Sequence, residues 1–264
     1  MRTFLGNLLF PPVCVGCREL VAVPDYRREA PYLCAACAKR WERETEEQCG
    51  ICQRPVGQCV CVTDAMLSAR IPLFRKVLYY RHGTRDPIQN RMIYRIKEAP
   101  DRRTVRFFAE QMVPAVREIL ALTGWNPADC AFIPLPRSRE NRLSTGTDQA
   151  EALARSLSQL TGIRTVNLIV RAAHETREQK ELSMAERKKN ASTAFRLAEK
   201  VRLPLSSHLL LLDDIVTTGS SMAASAKLLR RAGYSDFIAL AALSDDANRT
   251  TSEKQPVIDL KERR

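Results

Sequence analysis

The sequence predicts an α/β domain built on a mostly parallel, open sheet flanked by helices, with a small cysteine-rich module ahead of it. Three observations carry this. Short apolar runs such as Ala131–Leu135, Leu209–Leu212 and Phe237–Leu243 have the length and bounding residues of buried parallel strands, and they alternate with helical segments. The stretch His208–Met222 reads HLLLLDDIVTTGSSM, a strand running into a polar loop and then an alanine-rich helix. Open α/β sheets build ligand sites in that arrangement, at the carboxyl ends of their strands. Finally, eight of the nine cysteines fall in close pairs within the first 61 residues. The expected division is a cysteine module over 1–64, the α/β domain over 65–247, and a polar tail over 248–264.

A chain of 264 residues with 45% hydrophobic content has room for one packed core and a small appendage. Its formal charge of +12 favours polyanionic partners or anionic substrates. The basic residues run from Arg2 to Arg264 without a lysine-rich tail, so the charge belongs to folded surfaces. The start, MRTFLGNLLFPP, lacks the long apolar core of a secretory signal, and no run reaches membrane-spanning length. A cytoplasmic protein that is not integral to a membrane is expected.

The cysteines form the pairs Cys14/Cys17, Cys34/Cys37, Cys49/Cys52 and Cys59/Cys61. A Cys-x-x-Cys turn presents two thiolates to one tetrahedral ion, and two such turns close a four-thiolate zinc site. Eight ligands make two sites. The simplest grouping is sequential, Cys14–Cys37 and Cys49–Cys61, with an interleaved pairing as the alternative. No position is left open for water, so the expected role of zinc is structural, supplying folding energy to a segment poor in apolar residues. A disulfide framework is the competing reading and needs an extracellular location. Arg27, Arg28, Lys39, Arg40 and Arg43 lie among Tyr26, Tyr32 and Trp41. These residues could bind single strands by charge and stacking, or form a solvated face with packed aromatics.

Further along, Val77–Tyr80 reads as a strand and Ile88–Ile96 as a helix. A charged break over Lys97–Arg103 precedes an amphipathic helix, Val105–Leu122, that contains Pro114. Ala131–Pro136 is a strand entering a proline-bounded loop, followed by Arg137, Arg139 and Arg142, whose guanidinium forks suit a second anion. Asp148–Leu160 is helical and Thr165–Val170 is a strand. Arg171–Asn190 is either a surface helix or a flap over a site, and Gly233 closes the helix that begins after Gly219. Cys130 reads as core, His174 has no partner at ligand spacing, and no repeat is evident.

The loop after the leucine run is specific about its ligand. Thr217, Thr218, Gly219, Ser220 and Ser221 offer hydroxyls and free backbone N–H groups at a helix start, which suit a phosphate. Asp213 and Asp214 would repel that phosphate if they faced it, and serve better beside it, accepting from a diol or holding a metal. A phosphate beside a diol describes a phosphorylated sugar. The plain alternative is a helix cap followed by a solvated acid pair.

LLLLDDIVTTGSS resembles the phosphoribosyl-pyrophosphate (PRPP) motif of type I phosphoribosyltransferases. That resemblance implies that Asp213 and Asp214 take the ribose hydroxyls and Thr217–Ser221 the 5′-phosphate, with Mg²⁺ accompanying PRPP. From about Leu8 to Leu243 the chain is similar to the ComF (GntX) family, which joins a double zinc ribbon to this phosphoribosyltransferase fold. Pro134-Leu135-Pro136 matches the family's Pro-x-Pro-Leu loop, which implies a place for Pro134 and Leu135 near pyrophosphate. Thr176, Gln179, Leu182, Arg187, Asn190, Ala194 and Phe195 match its ordered pattern in the flexible-loop region. One departure matters. Where the family carries Arg-Gly-Phe-Asn-Gln, this chain has Thr145-Gly146-Thr147-Asp148-Gln149, and Arg139 or Arg142 is expected to supply the missing charge in catalysis alongside Asp213 and Asp214.

The resemblance implies a PRPP binder acting with single-stranded DNA in natural transformation, with a competence helicase or other uptake protein as partner and peripheral placement at the inner face of the membrane. Two other readings stand beside it. One is a non-catalytic adaptor for PRPP or a DNA 5′-phosphate; the other is a metabolic transferase with a base or amine acceptor.

Overall fold

The computed structural model describes residues 11–21, 30–98, 101–137, 148–172 and 194–245. Its elements are α1 (Ala35–Glu46), α2 (Asp64–Ser68), β1 (Phe74–Tyr80), α3 (Ile88–Glu98), α4 (Arg102–Thr123), β2 (Cys130–Pro134) and α5 (Gln149–Thr161). They continue with β3 (Arg164–Thr165), β4 (Ile169–Arg171), β5 (Phe195–Leu197), β6 (His208–Val216), α6 (Ser220–Arg231) and β7 (Phe237–Asp245). Five strands form one sheet in the order β1-β7-β6-β2-β3, every neighbouring pair parallel.

The leucine run shows why the sheet is buried on both faces. Successive strand side chains point to opposite sides. Leu210 and Leu212 therefore pack with α3, α4 and α5, while Leu209 and Leu211 pack with α2, α6 and the segment around β4 and β5. All four leucines are fully buried, each stabilising the fold by about 1.5–3 kcal/mol. The sheet is thus the middle of three layers, and its two apolar faces explain the unbroken hydrophobic run.

Several elements differ from their sequence-based extents for identifiable reasons. β1 begins at Phe74 and buries Arg75 and Lys76 completely, because each finds a partner far away in sequence. Arg75 donates to the Gln58 carbonyl and pairs with Glu118 of α4, while the Lys76 ammonium sits 3.1 Å from Cys59 Sγ. The strand expected over Thr165–Val170 is two strands. Leu168 N donates to the Val166 carbonyl, closing a tight turn; β3 therefore stays on the sheet edge and β4 leaves it to pair antiparallel with β5. β6 does not stop at the aspartates but carries both within its length to Val216. α4 runs through Pro114 as one helix, capped by the Asp101 carboxylate at its start and ending at Gly124, whose φ of +70° suits glycine. α6 ends at Arg231, and Gly233, with φ of +94°, follows its last turn.

The cysteine segment shares the core of the sheet: Cys14, Val15, Cys37, Trp41 and Val56 belong to the same apolar cluster as α3, α4 and α5. No helix among the described residues is long and apolar enough to cross a membrane.

Candidate functional site

The cysteines form two clusters, Cys14/Cys17/Cys34/Cys37 and Cys49/Cys52/Cys59/Cys61, with the ligand atoms of each cluster within 4.8 Å of one another. The grouping is sequential. Cys14–Cys17 and Cys49–Cys52 are built on the same turn: the backbone N–H of Arg18 and of Gln53 donates to the carbonyl four residues back, on Cys14 and Cys49, at 2.9 Å in each case. Arg18 and Gln53 both adopt the left-handed conformation, with φ of +74° and +55°. An isolated bridge closes each hairpin, Val13 with Leu20 and Gln48 with Pro55. A local repeat is therefore present that the residues, apart from the cysteines, do not show.

The donor set fits zinc. Thiolates about 2.3 Å from a tetrahedral ion lie about 3.8 Å apart. The observed Sγ–Sγ separations are 3.7 Å for Cys17–Cys34 and 3.9 Å for Cys49–Cys61. Backbone N–H groups of Gly16 and Cys34 point at Cys14 Sγ, 3.3 Å away in both cases. Gly16 has no room for a side chain, since a Cβ would lie 2.8 Å from Cys37 Sγ and from Ile88. The Cys59 thiol is held down to about 3 by its hydrogen bond with Cys61 and by the Lys76 ammonium, against the opposing effect of burial. Four closed thiolates per cluster are consistent with structural zinc.

The second site lies at the carboxyl edge of the sheet. A cavity of about 190 Å³ is bounded by Asp213, Asp214 and Ile215 of β6, Ser221 of α6, the loop Leu135–Arg137 after β2, and Arg171 and Phe195 from the β4–β5 ribbon. The alternation of β6 reverses across the acid pair, because Ile215 joins the α4 side and Val216 the α6 side. Asp213 Oδ1 accepts from Asp214 N, and Asp214 Oδ1 from Ile215 N, both at 2.9 Å. Burial, with the neighbouring Asp214 carboxylate adding to it, pushes the Asp213 carboxyl well above its ordinary range. Lys97, from the last turn of α3, places Nζ 3.7 Å from Asp214 Oδ2.

The loop after β6 is shaped by Gly219, whose φ is +76°. A Cβ there would lie 2.2 Å from Thr63 Oγ1, so the loop rests directly on the cap of α2. Thr218 Oγ1 accepts from Ser220 N and is 2.9 Å from Ser220 Oγ. The N-cap of α6 is Gly219, which has no side chain to cap it, and Thr218, Ser220 and Ser221 are exposed. Such a helix start offers N–H groups and hydroxyls to an anion.

Of the residues singled out from sequence, Leu135, Asp213, Asp214 and Ser221 border the cavity. Thr217, Thr218, Gly219 and Ser220 form the adjoining loop, and Pro134 sits within β2, opposite Leu212. Arg139, Arg142, Thr145–Thr147 and the flap candidate from 173 to 190 lie outside the described residues. Asp148 caps α5, accepting from Glu151 N, and also accepts from Arg137 N. Gln149 is buried and donates to the Ile96 carbonyl of α3 at 3.0 Å.

Two cations at the site, Arg171 and Lys97, escaped the sequence reading, whereas Arg137 was among the three arginines expected to suit an anion. Arg137 borders the cavity, and its buried Nη1 has no hydrogen-bond partner among the described residues. Arg171 donates through Nε to the Pro136 carbonyl, with its guanidinium carbon 4.8 Å from the Phe195 ring centroid. Lys97 looked like part of a charged break. Arg137 was signalled by its place directly after Pro136, and Phe195 by the family pattern; Lys97 gave no local sign. Of the aromatics in the cysteine segment, Trp41 and Tyr32 turn inward and pack on Phe107, with centroids 4.7 and 5.5 Å away, while Tyr26 lies outside the described residues. Cys130 is buried, and burial pushes its thiol up to about 11, as suits a core residue.

A parallel sheet flanked by helices, with an acid pair and a hydroxyl-rich loop at its carboxyl edge and two four-cysteine clusters ahead of it, is a phosphoribosyltransferase-like α/β domain carrying a double metal-binding module. No protein-family model matches the chain. It is 36% identical over 108 residues to competence protein F of Haemophilus influenzae, a match covering 40% of this chain and about half, 47%, of that protein. It is 26% identical to the DNA utilization protein YhgH of Salmonella typhi, covering 86% of this chain and 94% of the relative. Competence protein ComFC of Streptococcus pneumoniae is 24% identical over 213 residues, covering 80% of this chain and 86% of that relative. The chain is accordingly similar to competence protein F over less than half its length and to ComFC over most of it.

Proposed function

We propose that this protein binds PRPP with Mg²⁺ at the carboxyl edge of its sheet and acts with single-stranded DNA in uptake or use of DNA. The observation that supports this most is the acid pair Asp213–Asp214 at one cavity with Ser221, Arg137 and Arg171, beside the uncapped start of α6. Carboxylates accept from a sugar diol, while the helix start and guanidinium groups favour anions, so the site has the sign pattern of a sugar carrying phosphates at both ends. In this reading Asp213 and Asp214 take the diol, Thr217–Ser221 the 5′-phosphate, and the Pro134–Leu135 loop the pyrophosphate side. Arg139 and Arg142 assist there, and two structural zinc ions hold the 1–64 module. The printed names of the relatives, competence and DNA utilization proteins, suggest the DNA context, a cytoplasmic location and an uptake-machinery partner. The charge of +12 supports a salt-dependent contact with single strands.

A binding role without turnover is the second reading. It is favoured by Asp148, which caps α5 and holds the Arg137 backbone where the resembled family has an amide. Calorimetry with PRPP and Mg²⁺ tests the shared part: wild type binds, and Asp213→Asn with Asp214→Asn abolishes the heat. Unchanged affinity in that double variant overturns the assignment. Labelled PRPP incubated with bases, amines and single-stranded DNA then separates the two readings by release of pyrophosphate.

A further inference from the structure

We infer that Lys97 is a positioning residue that holds the Asp214 carboxylate oriented toward a sugar diol, and that the first cysteine knuckle holds Lys97 in place through α3. This rests on the sugar-phosphate reading of the cavity.

Asp214 is buried, and its two oxygens are treated differently. Oδ1 takes the Ile215 N–H, whereas Oδ2 accepts no hydrogen bond among the described residues and has only the Lys97 ammonium at 3.7 Å. A buried carboxylate beside a second carboxyl is costly to ionise unless a cation sits near it. Lys97 is that cation, and it breaks the symmetry of the pair: Asp214 faces the ammonium, while burial and the neighbouring Asp214 make the Asp213 carboxyl hold its proton more tightly. The cavity then offers one full acceptor and one group that can both donate and accept, a match for two vicinal hydroxyls.

The placement of Lys97 is built in. The end of α3 is tied at consecutive residues: Arg95 donates to the Val15 and Gly16 carbonyls inside the first cysteine knuckle, and the Ile96 carbonyl accepts from Gln149. Gly16 approaches α3 so closely that a Cβ would meet Ile88. A four-thiolate cluster that fixes Val15 and Gly16 therefore fixes the helix that delivers the ammonium. The knuckle acts on the sugar site from a distance, without touching the ligand.

The test measures binding of ribose 5-phosphate by calorimetry at pH 7 for wild type, Lys97→Met and Lys97→Arg, with urea unfolding to confirm folding. The charged groups facing Asp214 are Lys97 from α3 and Asp213 on its own strand; Arg137 and Arg171 border the same cavity and remain in every variant. Lys97→Met should bind at least about tenfold more weakly, the loss of one charge-assisted contact. Lys97→Arg, which restores a cation beside Asp214, should recover most of the loss. A folded Lys97→Met protein with wild-type affinity, or a folded Lys97→Arg protein as weak as Lys97→Met, overturns the inference. Failure of wild type itself to bind ribose 5-phosphate instead overturns the sugar-phosphate reading.

Discussion

Gly219→Ala tests how tightly the loop after β6 is fastened to α2. Two separate costs arise. At φ of +76° a side chain is strained by about 1–2 kcal/mol. The new Cβ would also lie 2.2 Å from Thr63 Oγ1 and 3.1 Å from Met66 Cγ, an overpacking cost of about 1–3 kcal/mol. The expected loss in urea unfolding at pH 7 is about 2–5 kcal/mol in total. Thr63→Ala alone removes the oxygen that accepts from Met66 N and caps α2, and should lose about 1 kcal/mol. In the double variant the hydroxyl that Cβ would strike is gone, so the strain, the lost cap and the tight approach to Met66 remain. The double loss should fall short of the sum of the single losses by about 1–2 kcal/mol, a measurable coupling. Calorimetry with ribose 5-phosphate should show the same order, with Gly219→Ala weakest and the double variant partly restored. Additive losses would refute the contact between the loop and α2.

Two other outcomes are expected. Elemental analysis should find two zinc ions per chain, and chelation should destabilise the protein by at least about 5 kcal/mol, less than zinc-finger peptides gain on binding. With Trp125→Phe in place, Trp41 alone reports that step, its emission shifting to the red as its packing on Phe107 opens; unchanged emission and stability after metal removal would count against structural sites. Asp213→Asn should stabilise the fold in a pH-dependent way. The folded-state pKa of Asp213 lies above the ordinary 3.8 of an aspartate, so the native state bears a penalty that is absent at and below that pH and grows as pH rises toward the folded pKa. The gain from asparagine should therefore be larger at pH 7 than at pH 4, and an equal gain at both would contradict a raised pKa.

The parts of the fold legible in the sequence were those written locally. The leucine run announced a strand buried on both faces, the cysteine spacing announced two four-thiolate clusters, and Asp148 announced the start of α5. The parts that were not legible depend on contacts between distant segments. Arg75 and Lys76 look like solvent-facing charges until Gln58, Glu118 and Cys59 are brought against them. Lys97 lies in a stretch that reads as a charged interruption, and nothing within it says that the end of α3 will meet Asp214. The turn at Val166–Leu168 separates β3 from β4 through a single backbone hydrogen bond, too small a signal for hydrophobic periodicity to register.

The order of the sheet has a consequence for how the molecule comes to exist. β1 is made early, yet among the described residues its only neighbour in the sheet is β7, the last described strand. Chains fold from the amino end during synthesis, and pairings this distant are slow to form. For most of translation, β1 has therefore lost no water to its eventual partner, and its apolar edge stands open to other chains. All eight paired cysteines have already been made by then and can close on metal. With Lys76 on Cys59 and Arg75 on Gln58, the metal-bound segment can shelter the waiting strand until β7 arrives. A module whose thiolates look purely architectural in the finished protein would in that way serve as a chaperone in cis, and its metal supply would set how much of the chain reaches the native sheet.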